Sequence, residues 1–260
     1  MNILEKIIQH KRIEVAEAKK NISIDELTDK SLFDRTCYSL RESILDLDKN
    51  GIIAEYKRAS PSKGSINAHS DVSDIVKAYE QSHVSAISVL TDSEFFKGTL
   101  DDLIAVREAV QIPVLRKEFI VDLFQIAEAK AYGADIILLI AACLSSKEIE
   151  EFSTYAKEIG LNVLLEVHNE EELKGNKFDT IDAIGVNNRN LIDFSVSLQH
   201  SLDLVNLIPD QYIKVSESGI SDPETIKLLK SEGFQAFLIG ENFMKMENPA
   251  TAIQDFVKHI

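Results

Sequence analysis

The stretch Asp135-Ile-Ile-Leu-Leu-Ile140 carries five apolar residues in succession. A strand with one face in water alternates apolar and polar residues, whereas a strand that is covered on both faces is apolar throughout. The stretches Ala86-Ile-Ser-Val-Leu-Thr91 and Asn162-Val-Leu-Leu-Glu-Val167 are nearly as continuous. These runs therefore predict a parallel sheet that is buried on both faces.

Apolar runs of this type occur eight times, and their starts lie 21 to 34 residues apart. They begin at Ile52, Ala86, Pro113, Asp135, Asn162, Ala183, Ile213 and Ala236. Each interval leaves room for one helix and two short loops, which indicates a βα repeat. Eight such units in roughly 210 residues match an α/β protein of the (β/α)8 TIM barrel type. The alternative is a doubly wound open sheet, but the chain has no G-x-G-x-x-G after its first strand.

The intervals carry amphipathic helical patterns. In residues 222–233, Pro223 suits the first turn of a helix, Leu228 and Leu229 belong to an apolar stripe, and Gly233 can end the helix. Similar patterns predict further helices over residues 101–110, 122–132, 146–159, 195–207 and 249–257.

Residues 1–50 precede the first strand and form a predicted helical extension. Apolar residues at helical spacing lie within residues 3–20, and residues 40–47 repeat the pattern. The extension is too small for a core of its own, so we expect it to pack on the barrel. It would either close the lower face of the barrel or lean over the mouth of the active site. Residues 1–260 are thus predicted to form a single domain.

The composition excludes several classes of protein. Acidic residues outnumber basic ones 43 to 28, and the formal charge of -15 disfavours nucleic acid and anionic lipid as partners. Cys37 and Cys143 are far apart and predict neither a disulfide framework nor a zinc knuckle. No apolar run approaches the roughly 20 residues of a membrane span, and the N-terminus lacks the apolar core of a leader. We expect a cytoplasmic protein without a membrane partner.

Polar residues follow the predicted strands at their carboxyl ends, where barrels of this type carry their active sites. Glu55 and Lys57 point to the same side of the first strand, as do Lys117 and Phe119 after the third, because side chains alternate between faces. Inward charges are costly unless they pair with one another or with a ligand. Their convergence predicts a site that contains Glu55, Lys57, Lys117, Glu166, Asn187, Arg189 and Glu217.

Two glycines indicate a phosphate site. Gly219 and Gly240 follow the seventh and eighth strands, where such barrels expose backbone N–H groups to phosphate. A plain tight turn is the alternative for either glycine alone. With Ser218 beside them and Lys57 and Ser60 opposite, a phosphate is the better interpretation.

Several catalytic motifs do not occur. The chain has no G-x-x-x-x-G-K-[ST], H-E-x-x-H or G-x-S-x-G. His168 is predicted to be a hydrogen-bonded rim residue rather than a metal ligand, and Cys143 an inert thiol. Phe95, Phe96 and Phe119 either pack in the core or stack on an aromatic ligand.

Seven segments, in order and spacing, resemble the indole-3-glycerol phosphate synthase family from end to end. The first is Ile52-Ile-Ala-Glu-Tyr-Lys-Arg-Ala-Ser-Pro-Ser-Lys-Gly64. The others are Ser88-Val-Leu-Thr-Asp92, Leu115-Arg-Lys-Glu-Phe119, Leu165-Glu-Val167, Gly185-Val-Asn-Asn-Arg-Asn-Leu191, Ser216-Glu-Ser-Gly-Ile220 and Phe237-Leu-Ile-Gly240.

The resemblance implies a lyase of tryptophan biosynthesis. It implies conversion of 1-(2-carboxyphenylamino)-1-deoxyribulose 5-phosphate into indole-3-glycerol phosphate, without cofactor or metal. It makes Lys117 the general acid, Glu166 its carboxylate partner, and places Glu55 and Lys57 near the substrate carboxylate and the dehydration step. The resemblance also makes Asn187 and Glu217 catalytic residues. They would line the anthranilate and sugar region together with Arg189 and Leu191. Phosphate would bind at Ser60, Ser218, Gly219, Gly240 and the backbone of Glu241, and the ring at Phe96, Phe119, Leu138 and Ile140.

The implied chemistry sets an expectation for Lys117. Ring closure needs proton donation to a developing alkoxide, and nearby Arg189 and Lys57 would lower the pKa of Lys117 toward working pH. Which carboxylate serves which step stays open. The rival functions are a phosphoribosylanthranilate isomerase, a Schiff-base aldolase that uses Lys57 or Lys117, and a noncatalytic phosphate sensor. We expect a monomer or a weak homodimer with a phosphorylated small-molecule substrate.

Overall fold

Eight parallel strands close into a barrel in a computed structural model that describes residues 2–61, 64–67, 71–190 and 194–260. In chain order they are β1 (Ile52–Tyr56), β2 (Ala86–Leu90), β3 (Val114–Lys117), β4 (Ile136–Ile140), β5 (Asn162–Val167), β6 (Ala183–Asn187), β7 (Ile213–Glu217) and β8 (Ala236–Ile239). Each strand pairs with its neighbours in sequence, and β8 pairs with β1. The predicted (β/α)8 barrel is confirmed, and the open-sheet alternative is wrong.

The side chains of β4 show why the apolar runs are continuous. Ile136, Leu138 and Ile140 belong to the apolar cluster inside the barrel. Ile137 and Leu139 belong to the larger cluster between the strands and the surrounding helices. Because both faces of the strand contact apolar side chains, its residues are apolar throughout, except at the end that meets the cavity.

Twelve α-helices lie in the described ranges. They are α1 (Ile3–Asn21), α2 (Ile24–Thr28), α3 (Leu40–Leu45), α4 (Val72–Gln81), α5 (Leu100–Ala109), α6 (Leu123–Ala131), α7 (Ser146–Glu158), α8 (Glu170–Gly175), α9 (Gln199–Leu204), α10 (Pro223–Ser231), α11 (Glu241–Met244) and α12 (Pro249–Val257). Short 3-10 helices cover Ala141–Cys143 and Val205–Leu207, and Ala59–Ser60 pairs with Gly64–Ser65 as a small antiparallel ribbon.

Most predicted helices are confirmed to within two residues, but the one predicted over residues 195–207 begins too early. Val196 forms an isolated antiparallel bridge with Arg189, and the Ser197 N–H donates to the carbonyl of Asn188. These backbone bonds hold residues 195–197 against the loop that follows β6, so α9 begins only at Gln199. The ribbon at Ala59–Ser60 and the short helix α2 were not predicted.

The N-terminal extension contacts the barrel at both of its ends, the lower face and the mouth of the cavity. Leu40 and Ile44 of α3 are buried in the cluster inside the barrel, at the end opposite the carboxyl ends of the strands. Helix α1 packs on α6. Its first residues, Ile3, Leu4 and Ile7, line the cavity at the other end of the barrel. The extension therefore closes one end and borders the mouth of the other.

Candidate active site

A cavity of about 600 Å³ opens at the carboxyl ends of the barrel strands. Of the residues predicted to form the site, sixteen line it. They are Glu55, Lys57, Ser60, Phe96, Lys117, Phe119, Leu138, Ile140, Glu166, Asn187, Arg189, Glu217, Ser218, Gly219, Gly240 and Glu241. The seventeenth, Leu191, lies outside the described residues. Closure of the barrel thus brings together groups from every part of the chain.

Lys117 lies at the centre of the charged groups. It ends β3, and its Nζ is 2.5 Å from Oε2 of Glu217 and 3.3 Å from Oε2 of Glu166. The Glu217 carboxylate comes from β7, directly across the barrel from β3, and the Glu166 carboxylate comes from β5, two strands away from β3. An ammonium held by two buried carboxylates can donate a proton into the cavity while its own position stays set.

The expectation of a lowered pKa for Lys117 is wrong. Burial does lower the pKa of Lys117, but the negative charges of Glu217, Glu166 and Glu55 outweigh it, and the pKa is raised. Lys117 faces three glutamates rather than the cations expected from the sequence, so it is an ammonium throughout the neutral range.

Glu166 is held by three side chains. Its Oε1 accepts a hydrogen bond of 3.0 Å from Nδ2 of Asn187 and lies 3.4 Å from Nε2 of His168. Burial raises the pKa of Glu166, but Lys117, His168 and Asn187 outweigh it and the pKa is lowered. His168 in turn lies 3.3 Å from Glu172 through Nδ1. Glu166 is therefore ionised near neutral pH, and His168 contacts its carboxylate.

Glu217 differs from Glu166 although both are buried. Burial raises the pKa of Glu217 to about 7, against the effect of Lys117 and with a contribution from the charge of Glu166. Its Oε1 is buried and lacks a hydrogen-bond partner in the described structure. The carboxylate lies over Gly185, where an added Cβ would be 2.1 Å from that oxygen. Glu217 can thus hold or release a proton near neutral pH.

Glu55 and Lys57 form the predicted pair on β1. Nζ of Lys57 is 2.8 Å from Oε1 of Glu55. The Glu55 side chain packs over Gly240, where an added Cβ would approach it to 2.5 Å. Tyr56, between them in sequence, points outward into the cluster under the helices. The absence of a side chain at residue 240 therefore makes room for this ion pair at the cavity edge.

The part of the cavity wall that follows β2 and β3 is apolar. Phe96 and Phe119 lie with their ring centroids 6.1 Å apart and an interplanar angle of 38°. Leu138 and Ile140 of β4 continue this wall toward the barrel interior. An aromatic ring placed here would contact apolar side chains on one side and charged groups on the other.

A third part of the cavity lies after β7 and β8. Ser218 and Gly219 both have positive φ, of 69° and 78°, so this turn exposes its backbone. Gly240 caps α11 without a side-chain hydrogen bond. The side chain of Glu241 lies 3.4 Å from the Arg189 guanidinium.

Sequence reasoning missed the part of the site that comes from α1. Ile3, Leu4 and Ile7 line the cavity, and Lys11 is buried and contacts Glu118, which also lines it. The available signal was a charged residue, Lys11, between Ile7 and Val15 on the stripe predicted to be apolar. Ile13, another apolar residue at helical spacing in α1, is exposed, because it lies on the solvent side of the helix.

The family model described as indole-3-glycerol phosphate synthase matches residues 4–256. The chain belongs to the indole-3-glycerol phosphate synthase family. Indole-3-glycerol phosphate synthases from Bacteroides thetaiotaomicron and Caldanaerobacter subterraneus are each 44% identical to it. The first alignment covers 100% of this chain and 99% of the relative, and the second covers 99% and 98%. The family match thus includes the extension as well as the barrel.

Solved structures of more distant proteins share the barrel of this indole-3-glycerol phosphate synthase family member. The 3-hexulose-6-phosphate synthase of Salmonella typhimurium has a TM-score of 0.60 at 12% identity, over 81% of this chain and 98% of that one. A tryptophan synthase complex from Pyrococcus furiosus has a TM-score of 0.60 at 16% identity. That alignment covers 82% of this chain and 98% of the other. At this identity the likeness concerns the fold alone.

Among the described residues, no cluster of three or more His, Cys, Asp or Glu side chains could hold a metal ion. No helix in the described ranges is long and apolar enough to cross a membrane.

Proposed function

We propose that the cavity carries out the reaction of the indole-3-glycerol phosphate synthase family with Lys117 as the general acid. In this reaction 1-(2-carboxyphenylamino)-1-deoxyribulose 5-phosphate closes a five-membered ring and loses carbon dioxide and water to give indole-3-glycerol phosphate. The enzyme is a carboxy-lyase of tryptophan biosynthesis. The observation that carries the proposed roles is the Lys117 ammonium held between Glu166 and Glu217 in the cavity.

Ring closure is the step assigned to Lys117. The ring carbon that bears the carboxylate attacks the ketone carbon, and the carbonyl oxygen takes up negative charge. An ammonium at that oxygen stabilises the charge and then supplies its proton. The raised pKa of Lys117 keeps the proton on the amine until the alkoxide forms, and Glu217 at 2.5 Å can return a proton to it.

The carboxylates serve the two eliminations. Carbon dioxide leaves with its bonding electrons going into the ring system, which needs no proton at that moment. Loss of water needs an acid at the hydroxyl and a base for the proton that leaves. Glu166 is ionised and suits the base, while Glu217, with a pKa of about 7, and the Glu55–Lys57 pair are the proton donors within reach of the cavity.

Substrate orientation follows from the three parts of the cavity. The anthranilate ring would contact Phe96, Phe119, Leu138 and Ile140. Its carboxylate would face Lys57, and Asn187 and Arg189 would line the sugar. The phosphate would bind the backbone of Gly219 and Gly240 near Ser60 and Ser218. Leu191, which has no described position, is proposed to line the same region.

The general-acid role is tested by replacing Lys117 with Arg and with Ala. Both variants are expected to lower kcat by about a hundredfold to ten-thousandfold, because arginine keeps the charge but does not give up its proton near neutral pH. Binding of indole-3-glycerol phosphate should change much less. Product formation is followed by indole fluorescence, which is clean because the chain has no tryptophan.

Lys227 on α10 provides the matched control, since it is half-exposed and its ion pair among the described residues is with Glu224 of its own helix. Lys227→Ala should leave kcat and KM unchanged. Near-normal turnover in Lys117→Arg would refute the acid assignment. The Schiff-base alternative makes a different prediction, since borohydride would then trap the substrate covalently on the chain.

We further propose that residues 1–260 form one domain that works in the cytoplasm, without cofactor or metal, as a monomer or weak homodimer. The contacts of α3 inside the barrel support a single unit. The two free cysteines suit a reducing compartment, and the charge of -15 disfavours nucleic acid. Sedimentation across a range of concentrations tests the oligomeric state, and a single calorimetric transition tests the single domain.

A further inference from the structure

Lys11 is a lysine of α1 that is almost completely withdrawn from water. Its side chain is 1% exposed, and its Nζ lies 3.0 Å from Oδ2 of Asp92 and 3.1 Å from Oε1 of Glu118. Glu14, on the same helix, completes the contacts at 3.0 Å. The negative charges of Glu118, Asp92 and Glu14 outweigh the effect of burial and raise the pKa of Lys11, so it is charged. A buried ammonium with three carboxylates is costly to assemble and therefore calls for an explanation.

The two buried carboxylates that contact Lys11, those of Asp92 and Glu118, also accept hydrogen bonds from the backbone beside the cavity's two phenylalanine rings. Oδ1 of Asp92 accepts hydrogen bonds from the backbone N–H groups of Phe95 and Phe96, at 2.7 and 3.2 Å. Oε1 of Glu118 accepts one of 2.8 Å from the N–H of Phe119. Phe96 and Phe119 are the two rings that line the cavity. One lysine thus connects to both rings, each through a single carboxylate.

We infer that Lys11 is a positioning residue that sets the separation of Phe96 and Phe119, and through it the binding of the substrate's aromatic ring. The inference rests on the proposed function, because it assigns those two rings to the anthranilate group. Without the ammonium, Asp92 and Glu118 would repel one another across the gap, and the loops after β2 and β3 would move apart. A displacement of about 1 Å is enough to spoil the contact of two stacked surfaces.

The test compares two ligands on one folded protein. Indole-3-glycerol phosphate carries the ring and the phosphate, whereas glycerol 3-phosphate carries only the phosphate. In Lys11→Met, the Kd of indole-3-glycerol phosphate and the KM of the substrate should each rise about tenfold. The inhibition constant of glycerol 3-phosphate should stay within twofold, and kcat should fall by less than threefold. A purely structural role for Lys11 would shift both ligands together or neither.

Lys19→Met is the matched control. Lys19 is on the same helix and pairs with Asp122 of the barrel at 2.9 Å, but it is half-exposed and contacts neither Asp92 nor Glu118 in the described structure. The Lys19→Met variant should leave kcat, the KM of the substrate, the Kd of indole-3-glycerol phosphate and the inhibition constant of glycerol 3-phosphate unchanged. If Lys19→Met raised the Kd of the ring-bearing ligand as much as Lys11→Met, or if Lys11→Met affected both ligands equally, the inference would be wrong.

Because Lys11→Met leaves two buried carboxylates without a partner, a milder variant is measured beside it. Glu118→Gln keeps an oxygen for the N–H of Phe119 but removes the charge that faces Lys11. It should raise the Kd of indole-3-glycerol phosphate at least threefold and leave glycerol 3-phosphate unaffected. If Glu118→Gln folds and the Kd of indole-3-glycerol phosphate stays at the wild-type value, the inference is wrong. A wild-type chain that binds the indole compound but shows no turnover would instead refute the roles under Proposed function.

Discussion

Gly185→Ala is expected to lower kcat about a hundredfold by moving one carboxylate. Gly185 lies in β6 and faces the barrel interior, where an added Cβ would be 2.1 Å from Oε1 of Glu217 and 3.3 Å from Cδ1 of Leu164. An ordinary carbon–oxygen contact needs about 1 Å more than the first of these distances. The carboxylate of Glu217 would have to retreat by that amount, because the strand backbone on either side is fixed by the barrel.

The expected loss follows from the contact that this movement breaks. Oε2 of Glu217 lies 2.5 Å from Nζ of Lys117, and both oxygens move together. A misplacement of about 1 Å at a catalytic group can lower the rate about a hundredfold, or about 2.7 kcal/mol in activation free energy. The extra methyl group should cost only about 1–3 kcal/mol of stability, so the variant should fold.

The assay is steady-state indole fluorescence, with Gly175→Ala as the control. Gly175 ends α8, and an added Cβ there meets nothing within 4 Å, so activity should be unchanged. A double-mutant cycle decides the mechanism, since in a Glu217→Ala background Gly185→Ala should cost little more. If Gly185→Ala kept wild-type turnover, or if its effect were the same with and without the Glu217 carboxylate, Glu217 would not act through its position beside Lys117.

Three further outcomes are expected. Burial raises the pKa of Glu217 from an ordinary 4.5 to about 7. The contribution of Glu217 to the stability of the fold is therefore fully present below pH 4.5 and is lost as pH rises through 7. The Tm of wild type relative to Glu217→Gln should therefore fall between pH 5 and pH 8, and a pH-independent difference would contradict this. Leu40→Ala should lower the free energy of unfolding by about 2–5 kcal/mol in a denaturant titration without changing KM, because Leu40 is buried at the end of the barrel away from the cavity. Leu47→Ala, at a fully exposed position, should change the stability by less than about 0.5 kcal/mol. In crystals grown with inorganic phosphate, an ion should lie against the backbone of Gly219 and Gly240, and an ion bound only at the opposite end of the barrel would count against that site.

The strands and helices of the barrel are local properties of the sequence. The run Asp135–Ile140 can be buried on both faces only as an inner parallel strand, and eight such runs at regular spacing leave few folds to choose from. Residue alternation likewise places Glu55 and Lys57 on one side of β1, and their 2.8 Å contact agrees with this. Where local backbone bonds compete with a helical pattern, as at Val196, the pattern alone predicts the helix boundary wrongly.

The electrostatics of the site depend on contacts that no local pattern contains. Lys117 meets Glu166 and Glu217, which follow it by 49 and 100 residues, so the sign of its pKa shift could not be read from its sequence neighbours. Lys11 joins carboxylates from two strand ends for the same reason. Periodicity reports which face of an element is buried, because that depends on residues one or two turns apart. The charge that a buried side chain faces depends on closure of the barrel. Closure brings the carboxylates of Glu166 and Glu217, from distant parts of the chain, to 3.3 and 2.5 Å from Nζ of Lys117, so only the tertiary structure decides that charge.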